Sequence, residues 1–201
     1  MLSLKSIAKL FFCAMLVVLH TNSAFGAQQS KGTAKVTANI PEFIVLHYYS
    51  TLTLNFATPT SEALDEGESE YKVSWEGEAE GDELSTSSLM DADLEFDGNK
   101  TTIKLPNVWA VRGFSKSGNA EISITIPSGG DVLKNGASTI AMSNVQVTDG
   151  SNTGSLIKTN LGGIAKSSAT FGGVVMDLDF SNTKRSGSHV GGQYTITAST
   201  I

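Results

Sequence analysis

Hydrophobic and polar residues alternate with a period of two along most of the chain, which is the pattern of half-buried β-strands. The clearest runs are KVTANI, LTLNF, EISITIP and VVMDLDF. Prolines and glycine-rich sequences of turn character separate many of these runs. After the first 26 residues we find no run of apolar residues at helical spacing. The pattern therefore predicts an all-β protein.

The predicted strands share an inward row of apolar side chains; they cover residues 43–49, 51–56 and 70–75, a hairpin at 94–105 turning at Asp97-Gly98, and residues 121–127 and 174–180. Turn sequences recur about every ten residues, so we expect eight or nine strands. This spacing favours an immunoglobulin-like or jelly-roll-type antiparallel β-sandwich over a layered α/β fold. An outer-membrane barrel would need aromatic girdles, and aromatic residues make up only 7% of the chain.

The first 26 residues have the organisation of a secretory signal peptide. Lys5 and Lys9 precede the apolar run LFFCAMLVVL, and the small-residue sequence SAFGA follows it, so we expect cleavage after Gly26. The only cysteine, Cys13, lies within this segment, which leaves the exported chain without disulfides. No later run is long and apolar enough to span a membrane. We expect a secreted protein whose mature chain does not insert into a membrane.

The predicted organisation is a signal peptide at 1–26, an extended N-terminal arm at 27–41 and a single β-sandwich domain at 42–201. Without the two signal lysines, 12 basic residues stand against 20 acidic ones, a net charge of −8 that argues against a nucleic-acid partner. Fourteen of the acidic residues lie between Glu62 and Asp97. This acidic block is expected to be solvated loop around one strand, protecting strand edges or forming an acidic contact surface.

The sequence gives little support to a catalytic function. Outside the signal peptide the histidines are His47, expected on the outward face of a strand, and His189, in a glycine-rich loop without a recognisable partner. Cysteine catalysis is excluded, and the common hydrolase, nucleotide-binding and zinc motifs are missing. We therefore predict that the protein is not an enzyme and uses no cofactor.

One segment imitates a calcium-binding loop. In DADLEFDGN, the residues Asp93, Glu95, Asp97 and Gly98 match its first half, but the twelfth position holds Lys104 instead of a bidentate acid. The hairpin accounts for the same residues without a metal, because the acids form its outward row. We predict no metal site, with adventitious surface calcium as the alternative.

The arm has an unusually regular pattern for a segment placed ahead of the first predicted strand. Ala34, Val36, Ala38 and Ile40 point to one side of an extended chain, with polar residues between them. Pro41 follows at once and leaves little room for the chain to fold back. An extended arm of this kind can supply a missing strand to another molecule by β-augmentation.

Three parts of the chain together resemble subunits of chaperone–usher pili, especially the cysteine-free colonisation-factor type: the arm KVTANI with the apolar strand after it, the later strand LTLNF and the C-terminal sequence GGQYTITAST. The resemblance covers about 45 residues at the two ends of the chain, while the acidic middle matches no family pattern. It implies that Ala34, Val36, Ala38 and Ile40 are the donor-strand residues and that Tyr194, Ile196 and Ala198 belong to the last strand. It also implies a periplasmic chaperone, an outer-membrane usher and other pilus subunits as partners, with a final location at the bacterial surface.

A secreted carbohydrate-binding module is the alternative interpretation. Trp75, Trp109 or Tyr49 would then stack on a sugar ring while nearby acidic side chains accept its hydroxyl groups. A tryptophan within a strand more often belongs to the core. The sequence therefore favours a structural or adhesive surface subunit.

Overall fold

A computed structural model gives the structure of residues 30–57, 70–73, 75–81, 94–97 and 99–201, with the backbone alone in the short strands between residues 70 and 97. Within these ranges the chain is all-β, as the sequence predicts. Residues Ile40–Ile201 form a compact unit. The helical structure in these ranges is one turn of 3-10 helix at Lys166–Ser168.

The twelve strands in the described ranges pair antiparallel throughout. In chain order they are β1 (Phe43–Phe56), β2 (Glu70–Val73), β3 (Trp75–Gly81), β4 (Leu94–Asp97), β5 (Lys100–Phe114), β6 (Asn119–Thr125), β7 (Val132–Asn135), β8 (Ser138–Thr148), β9 (Thr153–Gly154), β10 (Leu156–Asn160), β11 (Thr170–Asp179) and β12 (Thr195–Thr200).

These strands form two sheets of unequal size. The larger has nine strands in the order β2-β4-β5-β11-β8-β7, with β1 beside β5 and β3 and with β9 beside β8. The smaller has three strands in the order β10-β6-β12. Together the sheets make an antiparallel sandwich around a shared core.

The core consists of the inward rows of both sheets. In the larger sheet these rows are Ile103, Leu105, Trp109 and Val111 of β5, Ile140, Met142 and Val147 of β8, and Val174, Met176 and Leu178 of β11; in the smaller sheet they are Ala120, Ile122 and Ile124 of β6 and Ile157 of β10. The predicted inward rows of EISITIP and VVMDLDF are therefore confirmed, apart from their last members, Ile126 and Phe180, which are only partly buried.

The first strand departs from its prediction. The sequence predicts two strands here, 43–49 and 51–56, but the structure has one strand, β1. Its first half pairs with β5 and its second half with β3, and the register shifts between Tyr49 and Thr51. Ser50 and Thr51 lie inside the strand, and the register shift at this point is an irregularity of the kind that a β-bulge produces. The chain therefore continues and changes its neighbour.

The segment after it also differs from its prediction. Residues 70–75 are predicted as one strand, but the structure has β2 and β3, which lie beside different neighbours. The hairpin predicted at 94–105 is present as an antiparallel pair of β4 and β5 through Asp97 and Lys100. Gly98 at its turn lies outside the described residues, as do the side chains of Leu94 and Phe96.

Two asparagines with positive φ interrupt the alternation inside long strands. Asn107 in β5 has a φ of 54° and Asn144 in β8 has a φ of 49°. Asparagine tolerates this left-handed backbone better than other side chains do, and the extra residue of a bulge moves the inward row by one position. In β8 the inward row accordingly passes from Ile140 and Met142 to Val147. A strict period of two therefore does not reveal β8 in the sequence.

Contacts of Trp109 in β5 with Gly172 and Gly173 in β11 join these two strands. Trp109 is fully buried, and its indole Nε1 donates a hydrogen bond of 2.8 Å to the carbonyl oxygen of Gly173. A Cβ atom on Gly172 would lie 1.9 Å from Cζ2 of the indole, and one on Gly173 would lie 2.4 Å from the carbonyl oxygen of Leu105. Only glycine fits at both positions: the missing side chain of Gly172 leaves room for the indole, and that of Gly173 lets the backbone of β11 approach the carbonyl oxygen of Leu105.

Replacing Gly172 with alanine is expected to destabilise the fold by about 3 kcal/mol or more, because the enclosed indole has no free volume into which to move. Gly150→Ala is a matched control: nothing lies within 4 Å of its Cβ position, although its φ is +88°. The control is expected to cost about 1 kcal/mol from the left-handed backbone alone. Urea denaturation measures both free energies of unfolding, and equal losses would contradict the packing argument.

Candidate functional site

The outer edge of β12 exposes backbone groups that no described residue pairs with. The amide of Ile124 donates to the carbonyl of Ser155 at 2.9 Å, which shows that the even-numbered residues of β6 bond to the β10 side. In an antiparallel sheet both backbone groups of a residue point to the same neighbour, so the odd-numbered residues of β6 bond to β12. Their partners in β12 are Thr195, Thr197 and Ser199.

It follows that the remaining residues of β12 direct their backbone groups to the other side. Ile196, Ala198 and Thr200 each present an N–H and a C=O away from β6, and the described residues supply no hydrogen-bond partner for these groups. Unpaired edges of this kind are templates for the addition of another strand.

The core is incompletely covered on the same side. Most of the apolar residues that pack against the core while remaining partly exposed lie on β1 or in the segment of β12: Ile44, Leu46, Tyr49, Leu52, Leu54, Phe56, Tyr194, Ile196 and Ala198. By contrast, the apolar rows of β5, β6 and β11 are almost fully buried. β1 passes within 8 Å of β12, measured between Cα atoms, but no ladder joins the two strands. We define the acceptor edge as the outer side of β12, at Ile196, Ala198 and Thr200.

The residues expected in the last strand all lie at this edge. Ile196 and Ala198 are in β12, and Tyr194 immediately precedes it. All three pack against the core. Burial raises the pKa of the Tyr194 phenol above its ordinary value, because an apolar surrounding disfavours the charged phenolate. Tyr194 therefore stays neutral and acts as part of the apolar floor.

The N-terminal arm has a different character. Residues 30–42 form no strand, and all of them are exposed. Of the four predicted donor-strand residues, Val36 is 91% exposed and Ile40 is 65% exposed, while Ala34 and Ala38 are exposed as well. Among the described residues, no apolar neighbour buries the side chains of Val36 and Ile40.

Two contacts at the start of β1 escaped the sequence analysis. The carboxylate of Glu42 accepts a hydrogen bond of 2.8 Å from the amide of Lys116, in the turn between β5 and β6. Next to it, the rings of Phe43 and Phe114 meet edge to face with their centroids 5.3 Å apart. These contacts fix the point at which the chain enters the sandwich. No local pattern reveals them, since the partners are more than 70 residues apart in the sequence.

The two histidines outside the predicted signal peptide both have hydrogen-bond partners. His47 alternates with the core-facing Leu46 and accepts a bond of 3.1 Å at Nε2 from Nε of Arg112, which agrees with the expected outward face. The expectation that His189 has no partner was wrong, because Nε2 of its ring lies 2.9 Å from Oγ of Ser138. Ser138 is only 1% exposed, so this serine is enclosed within the fold.

The three aromatic residues of the carbohydrate-binding alternative differ in their burial and in how much of each the structure describes. Trp109 is enclosed in the core and its indole is hydrogen-bonded to Gly173, so no sugar ring reaches it. Tyr49 packs against the core and is partly buried. Of Trp75, only the backbone lies within the described part.

The segment DADLEFDGN, which imitates a calcium-binding loop, also lies largely outside the described residues. Asp93 and Gly98 are not among the described residues, and only the backbone of Glu95 and Asp97 is. In the ranges where side chains are described, no group of three or more His, Cys, Asp or Glu residues is arranged to hold a metal ion. No helix in the described segments has the length and hydrophobicity that a membrane span requires.

Comparison of the chain with protein-family models, with curated proteins and with solved structures finds no match. The interpretation of the acceptor edge therefore depends on its own geometry.

Amide exchange is expected to alternate along β12. The amides of Ile196, Ala198 and Thr200 face the unpaired side, so they should exchange on the order of tenfold faster than those of Thr195, Thr197 and Ser199. NMR-detected hydrogen exchange on monomeric protein measures this, with β6, which is paired on both sides, as the internal control. Uniform protection along β12 would show that its outer side is occupied.

Proposed function

We propose that this protein is a secreted structural or adhesive subunit of a bacterial surface polymer of the pilus type, which assembles by β-strand donation. The arm of one copy adds as a strand to the acceptor edge of another. The single observation that carries the proposal is the outer side of β12, with unpaired backbone groups above a partly exposed apolar floor.

The arm and the acceptor edge match in length and pattern. Residues 34–40, when extended, span about 20 Å, which is close to the length of a six-residue strand such as β12. The inward row Ala34, Val36, Ala38 and Ile40 alternates small and β-branched side chains over the same distance. Such a row suits an apolar floor that is shallow at some points and deep at others.

The energetics favour a joint contribution from side chains and backbone. Burial of Val36 and Ile40 would stabilise the assembly by about 1.5–3 kcal/mol each. Each ladder hydrogen bond adds about 0.5–1.5 kcal/mol net, because the edge groups otherwise bond to water. Neither contribution suffices alone, since association costs at least several kcal/mol in lost rigid-body and chain freedom.

The other elements of the proposal rest on the sequence. The predicted signal peptide at 1–26 supports export, and the resemblance of both chain ends to chaperone–usher pilus subunits supports a periplasmic chaperone and an outer-membrane usher as assembly partners. A chaperone would protect the acceptor edge until another subunit fills it. The remaining partners are other copies of this chain or related subunits.

Substitutions in the arm distinguish its two rows. Val36→Asp is expected to reduce polymer formation at least about 100-fold, because a carboxylate would have to be buried against the apolar floor. Thr37→Asp places the same charge on the solvent row and is expected to change polymer formation by less than about threefold. Polymers are quantified by size-exclusion chromatography with light scattering, and by electron microscopy of cells that express the variants.

Deletion of residues 27–41 completes this test. The truncated protein should keep the far-ultraviolet circular dichroism and unfolding transition of the full chain and lose its polymers. If the deletion unfolds the sandwich, or if Val36→Asp and Thr37→Asp behave alike, strand donation by the arm is wrong.

A further inference from the structure

The segment between β11 and β12 crosses to the far edge of the larger sheet and is held there by a network of hydrogen bonds. We call residues 181–193 the strap. Its backbone bonds reach β7, β8 and the residues just before β7: Asn182 to Thr139, Val190 to Lys134 and Gln193 to Gly130. The Val190 pair is reciprocal, with distances of 2.7 and 3.0 Å between its nitrogen and oxygen atoms.

The strap lies over an edge that would otherwise be unpaired. The amide of Met142 in β8 donates to the carbonyl of Asp131, which lies just before β7. The odd-numbered residues of β7 therefore direct their backbone groups to β8. Val132 and Lys134 therefore direct their backbone groups outward, and Val190 covers those of Lys134. The strap protects β7 in the way that proteins commonly protect exposed strand edges.

A buried serine holds the centre of the strap. Oγ of Ser138 accepts hydrogen bonds from the amides of Lys184 and Arg185, at 2.8 and 3.1 Å. Its third contact is Nε2 of His189 at 2.9 Å. A hydroxyl group has two lone pairs and one proton, so with both lone pairs engaged it must donate its proton to the histidine.

The other nitrogen of His189 fixes the tautomer. Nδ1 lies 3.0 Å from the carbonyl oxygen of Gly187, which can only accept a hydrogen bond. Nδ1 therefore carries the proton of the neutral ring, and Nε2 is the acceptor that the Ser138 hydroxyl needs. All the groups are satisfied, but only while the imidazole is neutral.

We propose that Ser138 and His189 form an acid-sensitive latch, which holds the strap over β7 when the imidazole is neutral and releases it when the imidazole is protonated. Protonation places a proton on Nε2, opposite a hydroxyl group whose lone pairs are already engaged. The hydroxyl proton loses its acceptor at the same time, so two donors face each other in a partly buried position. The strap relieves this conflict by moving away from Ser138.

In the described part of the chain, the elements that carry the latch contain no carboxylate that could compensate the imidazolium. The charged side chains on these elements are Lys134 of β7 and Lys184 and Arg185 of the strap, while β8 has none. The acid next to the strap, Asp179, is engaged with the amide of Ser181 and with Lys100. Asp131, at the start of β7, contributes its backbone carbonyl to Met142.

Hydrogen exchange of the two amides in the reciprocal pair, Lys134 and Val190, tests the latch. After correction for the intrinsic exchange rate, their protection is expected to fall at least about tenfold between about pH 7.5 and about pH 5, where an ordinary imidazole becomes protonated. The amide of Val174 in β11 serves as the control for global unfolding and should keep its protection.

Three variants make the test specific. In His189→Gln the side chain does not titrate, so the loss of protection with acid should disappear. His47→Gln removes the other histidine and should leave that loss unchanged. Ser138→Ala leaves the amides of Lys184 and Arg185 without their acceptor and should loosen the strap at both pH values. Unchanged protection of Val190 in acid, or a pH effect that persists in His189→Gln, would overturn the proposal.

Discussion

The unpaired backbone groups along the outer side of β12 are the constraint on which the interpretation of this protein depends. This strand bonds to β6 on one side, and on the other side the described residues leave the backbone groups of Ile196, Ala198 and Thr200 without a partner. The apolar side chains of the same strand, with those of β1, cover the core only partly. Backbone groups and apolar surface thus lack a neighbour at the same place, and one added strand would satisfy both.

The edge of the larger sheet at β7 differs from the outer side of β12. At β7 the chain folds its own strap over the outward groups of Lys134 and anchors it at a buried serine. The described part of the chain contains no equivalent cover for β12.

The rest of the sandwich is closely packed, which is what a strand acceptor requires. The indole of Trp109 fills the space that Gly172 leaves, and the bulges at Asn107 and Asn144 shift the register of the long strands. The contacts of Glu42 and Phe43 hold the beginning of β1 in place. Under the proposed strand donation, a closely packed scaffold would hold the acceptor edge in a fixed geometry, so a donor strand would lose less conformational freedom on binding.

The sequence by itself determined the fold class and the content of several strands, because an alternating row such as Ile122, Ile124 and Ile126 can bury itself in only one way. It also marked the arm residues Ala34, Val36, Ala38 and Ile40 as a candidate donor row, since that pattern is local. The tertiary structure alone decided which strand edge stays unpaired, that β1 changes partners in mid-strand, and that His189 meets Ser138. Those outcomes depend on residues brought together from distant parts of the chain, and a local pattern carries no information about which strands become neighbours.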